Sequence, residues 1–170
     1  MATEVSPKTS KESVSHLTSE EVWHKIARAS FAVIGYVTPT GEPRSSGVVF
    51  KSVGRRLYTA VAPDGWKAKH IAASGRVSVV VPVRRGGILS LLFPIPPATV
   101  SFHATATVHS AGSIHVAALS RALASMLPTE RLDSTCIIEL VPEGQFLTYG
   151  VGVSLSDMRH PALAHARLTV

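Results

Sequence analysis

The chain has 170 residues, 45% of them hydrophobic, which suffices for one domain with its own core and excludes an intrinsically disordered chain. Its formal net charge is +6 and its pI about 9.9. Lysine and arginine are scattered, in runs no longer than Arg55-Arg56 or Arg84-Arg85, which argues against a nucleic-acid tail and favours a small anionic ligand.

Met1 to Ser15 is polar, rich in Ser and Lys, and lacks the apolar stretch of a signal peptide. Residues 1–16 read as a flexible tail and 17–170 as a single domain. Thr18 and Glu21 form a capping box, Leu17 and Val22 a hydrophobic staple, and Val22, Trp23, Ile26 and Ala27 an apolar helix face. A strand follows over Phe31–Thr38, then the turn Pro39-Thr40-Gly41-Glu42-Pro43. Arg44–Val53 is a second strand, turned by Gly54, and Leu57–Val61 a third. The next helix has Asp64 as its expected N-cap, Lys67 and Lys69 in its opening turns and Gly75 at its end. Val77–Val83 is a valine-rich strand.

Arg84–Pro97 is irregular, with Gly86-Gly87 and prolines at 94, 96 and 97. It is too short and too broken to span a bilayer, and its apolar part, Leu89 to Ile95, suits a dimer contact or a binding groove. Ala98–Val108 alternates, with Ala98, Val100, Phe102, Ala104, Ala106 and Val108 on one side and Thr99, Ser101, His103, Thr105 and Thr107 on the other. A helix is expected from Ser113 to Met126, then strands over Cys136–Val141 and Gln145–Tyr149. Cys136, the one cysteine, reads as a buried core thiol and fits a reducing, cytoplasmic setting. Short hairpins with few helices imply a mainly β, α+β architecture: an antiparallel barrel with flanking helices. No glycine-rich strand-to-helix fingerprint marks a dinucleotide-binding fold.

Chemistry concentrates where the third strand runs into the lysine helix. A helix start offers unpaired N–H groups and the positive end of the dipole, which suits a phosphate. Lys67 and Lys69 would serve it, or would be solvated surface lysines. His103 and His109 share a strand parity, which leaves a haem contact open, but no tight cluster of metal ligands is present in the sequence. Nothing resembles a nucleophilic triad or a carboxylate pair.

Ser46-Gly47-Val48-Val49-Phe50-Lys51 resembles the R-x-V-L-L-K strand of the pyridoxamine 5′-phosphate oxidase-like, FMN-binding split barrels. Tyr58-Thr59-Ala60 resembles that family's Y-T-N, Gly65-Trp66-Lys67 its S-R-K, and Arg76-Val77-Ser78-Val79 its next strand. The resemblance implies a homodimer with FMN at the subunit interface and a small-molecule substrate; the scattered charge and the proline-broken apolar stretch add no expectation of nucleic acid or membrane as a partner. The resemblance also implies that Ser46, Gly47, Val48 and Val49 lie along the flavin ring. By the same likeness Lys67 holds the phosphate, with Lys51, Tyr58, Thr59 and Trp66 nearby, and Lys51 is a candidate electrostatic stabiliser of reduced flavin; Lys69 is a further cofactor-binding candidate on its charge alone. Ser46, Ala60 and Trp66 depart from the family pattern, and the C-terminal segment lacks the R-L-H-x-R-type substrate motif, which argues against pyridoxamine-phosphate oxidation itself. The deazaflavin coenzyme F420 is the alternative cofactor, and a non-catalytic flavin- or haem-binding protein the alternative function.

Overall fold

The computed structural model describes residues 17–84, 96–113, 122–126 and 128–170. Helix α1 (Ser19–Arg28) opens with the expected capping box: Glu21 N–H donates to Thr18 Oγ1 at 3.2 Å, and Thr18 N–H donates to Glu21 Oε2 at 2.8 Å. Acidic Glu20 and Glu21 stand in its first turn and basic Lys25 and Arg28 in its last, each matched to the dipole. Its apolar face buries Val22, Trp23 and Ile26.

Strands β1 (Phe31–Val37), β2 (Pro43–Val49), β3 (Lys51–Val53) and β4 (Arg56–Val61) follow. Helix α2 (Trp66–Ser74) separates them from β5 (Arg76–Val83), β6 (Ala98–His109), β7 (Cys136–Tyr149), a short helix α3 (Pro161–Ala164) and β8 (His165–Thr169). These eight strands form one sheet in the order β2-β1-β5-β6-β7-β4-β3, with β8 added on β7. Every pairing is antiparallel. The two ends of that order, β2 and β3, are consecutive in the chain. The sheet therefore curls until its edges meet at Phe50, whose N–H leaves the strand to donate to Ser30 O at 3.0 Å. The expected split barrel with flanking helices is the fold observed.

The alternation read in β6 holds: Ala98, Val100, Phe102, Ala104 and Ala106 are buried. Val77, Val79, Val81 and Val83 do the same on β5. Pro82 is tolerated in β5 because the β1–β5 ladder covers only Val33–Gly35 against Ser78–Val80, so its missing N–H leaves no rung empty. Phe146 is fully buried at the centre, edge-on to Trp23 at 5.3 Å and to Phe102 at 5.4 Å. Helix α1 thus plugs the barrel through Trp23.

The structure differs from the sequence reading at several elements. Asp64 does not cap α2; Gly65 is the N-cap and no side chain bonds the helix start. Gly75 does end α2, in the left-handed region at φ 64°, with its N–H on Ile71 O at 2.8 Å. The single strand expected over Arg44–Val53 is broken at Phe50. The two strands expected either side of Pro142–Gly144 are one, β7, because β6 pairs across the interruption. The register jumps from Ser101↔Leu147 to His103↔Glu143, and Gly144 takes φ 72°. Strand β8 was not foreseen. The tail at 1–16 and the apolar loop at 88–95 lie outside the described residues, as does most of the helix expected from Ser113 to Met126. Its described members Leu123 and Met126 pack on Tyr58 and Ile137. No described helix is long and apolar enough to cross a membrane.

Replacing Phe146 with Ala removes the ring shared by α1 and β6. The expected loss is about 3–5 kcal/mol, read as a lower urea midpoint at unchanged slope.

Candidate functional site

The barrel is closed by the chain and not by hydrogen bonds along its whole height. Strand β2 pairs with β1 alone, and Thr59–Val61 of β4 pairs with β7 alone. These two free edges approach each other and form a split in the wall. Which peptide groups face it follows from the hairpin. Thr38 N–H donates to Glu42 O at 2.9 Å and Phe50 N–H to Ser30 O at 3.0 Å, so even-numbered residues of β1 and β2 exchange hydrogen bonds with each other. Ser46 and Val48 therefore bond β1 and turn their side chains toward the barrel interior. Gly47 and Val49 turn their N–H and C=O groups to the split.

Gly47 has a further constraint. A Cβ there would stand 2.9 Å from the Phe31 ring, so the half-exposed Phe31 covers this glycine and a larger residue would turn the ring aside.

The chain leaves the β4 edge at Val61 and enters α2 at Trp66. No acidic residue stands in the first turn of α2 and no side chain caps it, so its N–H groups stay available to an anion. Lys67 is half-buried there, while Lys69 is exposed with its Nζ 5.7 Å from the Trp66 ring centre. Trp66 itself is 75% exposed, and His70 lies between it and Tyr36, tilted to both, with ring centres 5.8 and 6.1 Å away.

The remaining sequence-derived candidates fall elsewhere. Thr59 is 1% exposed and faces the interior beside Leu57 and Ile138. Tyr58 and Lys51 are cross-strand partners on the outer face, at the end where β3 pairs with β4. The Tyr58 phenol donates to Glu139 Oε1 at 3.4 Å. Glu139 is buried and also accepts from Arg56 and His109, the latter with Nε2 at 2.7 Å from Oε2. The network of Arg56, Tyr58, His109 and Glu139 was missed in the sequence, because its members lie on three strands far apart in the chain. The one local signal was the polar parity of β6, which puts His109 on the outer face. The structure thus gathers Ser46–Val49, Trp66 and Lys67 around the split and its helix, and sets Lys51 and Tyr58 beside the Glu139 network. Among the described residues no group of His, Cys, Asp and Glu could hold a metal ion.

No protein-family model matches the sequence, and no curated protein matches it. Solved structures do. The chain is similar to a candidate pyridoxamine 5′-phosphate oxidase from Listeria innocua, at 18% identity and TM-score 0.54, over 73% of this chain and 92% of that one. It is similar to a haem storage protein from Vibrio cholerae, at 14% identity and TM-score 0.58, over 78% and 94%. It is also similar to an F420 reductase, at 17% identity and TM-score 0.53, over 72% and 93%. The chain therefore has the split-barrel fold of the pyridoxamine 5′-phosphate oxidase-like proteins.

Burial, and secondarily the Glu139 carboxylate, push the Tyr58 phenol above its ordinary 10.0. The folded protein then holds that proton more tightly than the unfolded chain. The resulting stability is fully present below pH 10.0 and is lost as pH rises through the raised folded value. Glu139→Gln is expected to lower the phenol pKa while burial keeps it raised. Tyrosinate absorbance titration of this variant, with Tyr58→Phe to assign the signal, checks the direction.

Proposed function

We propose that the chain is an FMN-binding oxidoreductase of the pyridoxamine 5′-phosphate oxidase-like family, acting as a cytoplasmic homodimer on a small molecule. The observation that carries this reading is the convergence of an unpaired strand edge and an uncapped helix start. Gly47 and Val49 offer backbone donors and acceptors along the split, and the helix that follows its other edge opens with Lys67 and free N–H groups. A planar ring system with a terminal phosphate matches both halves.

In this reading Lys67 and the first-turn N–H groups of α2 hold the phosphate, and the Gly47 and Val49 peptides bond the polar edge of the ring. Ser46 and Val48 fix the strand from behind, through their bonds to β1. Lys51 supplies positive charge near the end of the split, favouring an anionic reduced ring. When bound, the flavin supplies hydride transfer at N5, which requires no protein nucleophile. The exposed apolar side chains Phe31 and Val49, paired across β1 and β2, give the outer face a surface suited to a second copy.

F420 on the same site is the second reading, favoured by the exposed Trp66 and Lys69 beside the helix start and by the F420 reductase among the similar structures. Purified protein titrated with FMN, F420 and haem separates the readings by absorbance and flavin fluorescence. FMN is expected to bind, and Lys67→Ala to weaken it about tenfold, the loss of roughly one charge-assisted hydrogen bond. Lys51→Ala is expected to leave FMN affinity nearly unchanged and to make the bound flavin harder to reduce. Protein with no affinity for FMN would overturn the first reading.

A further inference from the structure

A cleft of about 340 Å³ lies on the other side of β1 from the split. It opens where the β1–β5 ladder stops. The last rung is Gly35↔Ser78; the next, Val37 opposite Arg76, does not form. The alternation fixed by the β1–β2 hairpin turns the odd-numbered peptide groups of β1 toward β5, so Val37 directs its N–H and C=O into the gap.

Gly35 and Ser78 are among the residues that line the cleft, and the fit between them is close. A Cβ on Gly35 would stand 2.5 Å from Ser78 Oγ. Glycine inside a strand costs about 0.5–1 kcal/mol relative to alanine, and here it leaves room for the Ser78 hydroxyl beside the hollow.

The lining is rich in donors. Arg44, Arg76, Ser78 and His103 border it, with Glu143. Glu143 already accepts from the Thr105 hydroxyl, and Arg44 pairs with Glu42 at 2.9 Å. Arg76 has no carboxylate partner among the described residues. An exposed guanidinium beside a hydroxyl, an imidazole and a free peptide N–H fits an oxyanion, and the volume lies within the range of small-molecule sites.

We propose that this cleft binds a small molecule through a phosphate or carboxylate group, with Arg76 as its main ligand and Ser78 and His103 as supporting donors. The site is distinct from the split, and the two share none of the candidate cofactor residues.

The test is titration of the full chain with inorganic phosphate and, separately, acetate, followed by NMR at the Arg76, Ser78 and His103 resonances. Saturable shifts with a Kd near or below about 1 mM are expected. Response to phosphate alone marks a phosphoryl ligand; response to both marks any oxyanion; either supports the site. Arg76→Ala, an exposed change that spares the fold, is expected to weaken binding at least tenfold, and Gly35→Ala to block it. Lys67→Ala is expected to leave these shifts intact, which separates this cleft from the helix start of the cofactor reading. Shifts that do not saturate with either anion, or that survive Arg76→Ala unchanged, would overturn the proposal.

Discussion

The rest of the molecule depends on one constraint: both edges of the sheet belong to the same length of chain. Strands β2 and β3 are separated only by Phe50, yet β2 ends the sheet on one side and β3 on the other. A barrel built this way turns its free edges toward each other, which narrows the opening through which another strand could pair. It also cannot pair β2 with β4 where the chain bends between them. The split is therefore a geometric consequence of the closure. Its unpaired peptide groups are what a ligand with a polar edge can use.

Much of this was legible in the sequence because it is periodic or local. The capping box at Thr18 and Glu21, the alternation of β5 and β6, and the glycine stop at Gly75 all rest on contacts within a few residues. The motif runs around Val48, Thr59 and Lys67 located the strand edge and the helix start. What was hidden is long-range. The outward turn of Tyr58 toward Glu139 depends on the β4–β7 register, which no local pattern specifies. The Gly35–Ser78 contact likewise depends on where the β1–β5 ladder ends. Pro142 and Gly144 read as a strand break because they are turn residues, and only the continuous partner β6 converts the break into a bulge.

Glu139 shows how the outer face is organised. A carboxylate so deeply covered requires donors, and it finds them on two other strands: Arg56 and Tyr58 on β4 and His109 on β6. Arg56 remains half-exposed, so its pairing is partly screened by water. The buried contacts from Tyr58 and His109 tie the register of β4 to that of β6 through β7. Lys51 on β3 is the cross-strand partner of Tyr58, so the charge proposed to act near the end of the split stands beside this network.

The same β4–β7 pairing has a consequence for how the protein is made. Arg56 and Glu139 are 83 residues apart, and every rung between β4 and β7 joins segments that leave the ribosome at well-separated times. The hairpins β1–β2 and β5–β6 can form while synthesis proceeds, but the wall cannot close until β7 has been made. Until then β4 presents an unsatisfied, largely apolar edge to its surroundings. Loop-closure entropy makes this the slow, non-local step of folding, and the nascent chain is most exposed to misassociation during that interval.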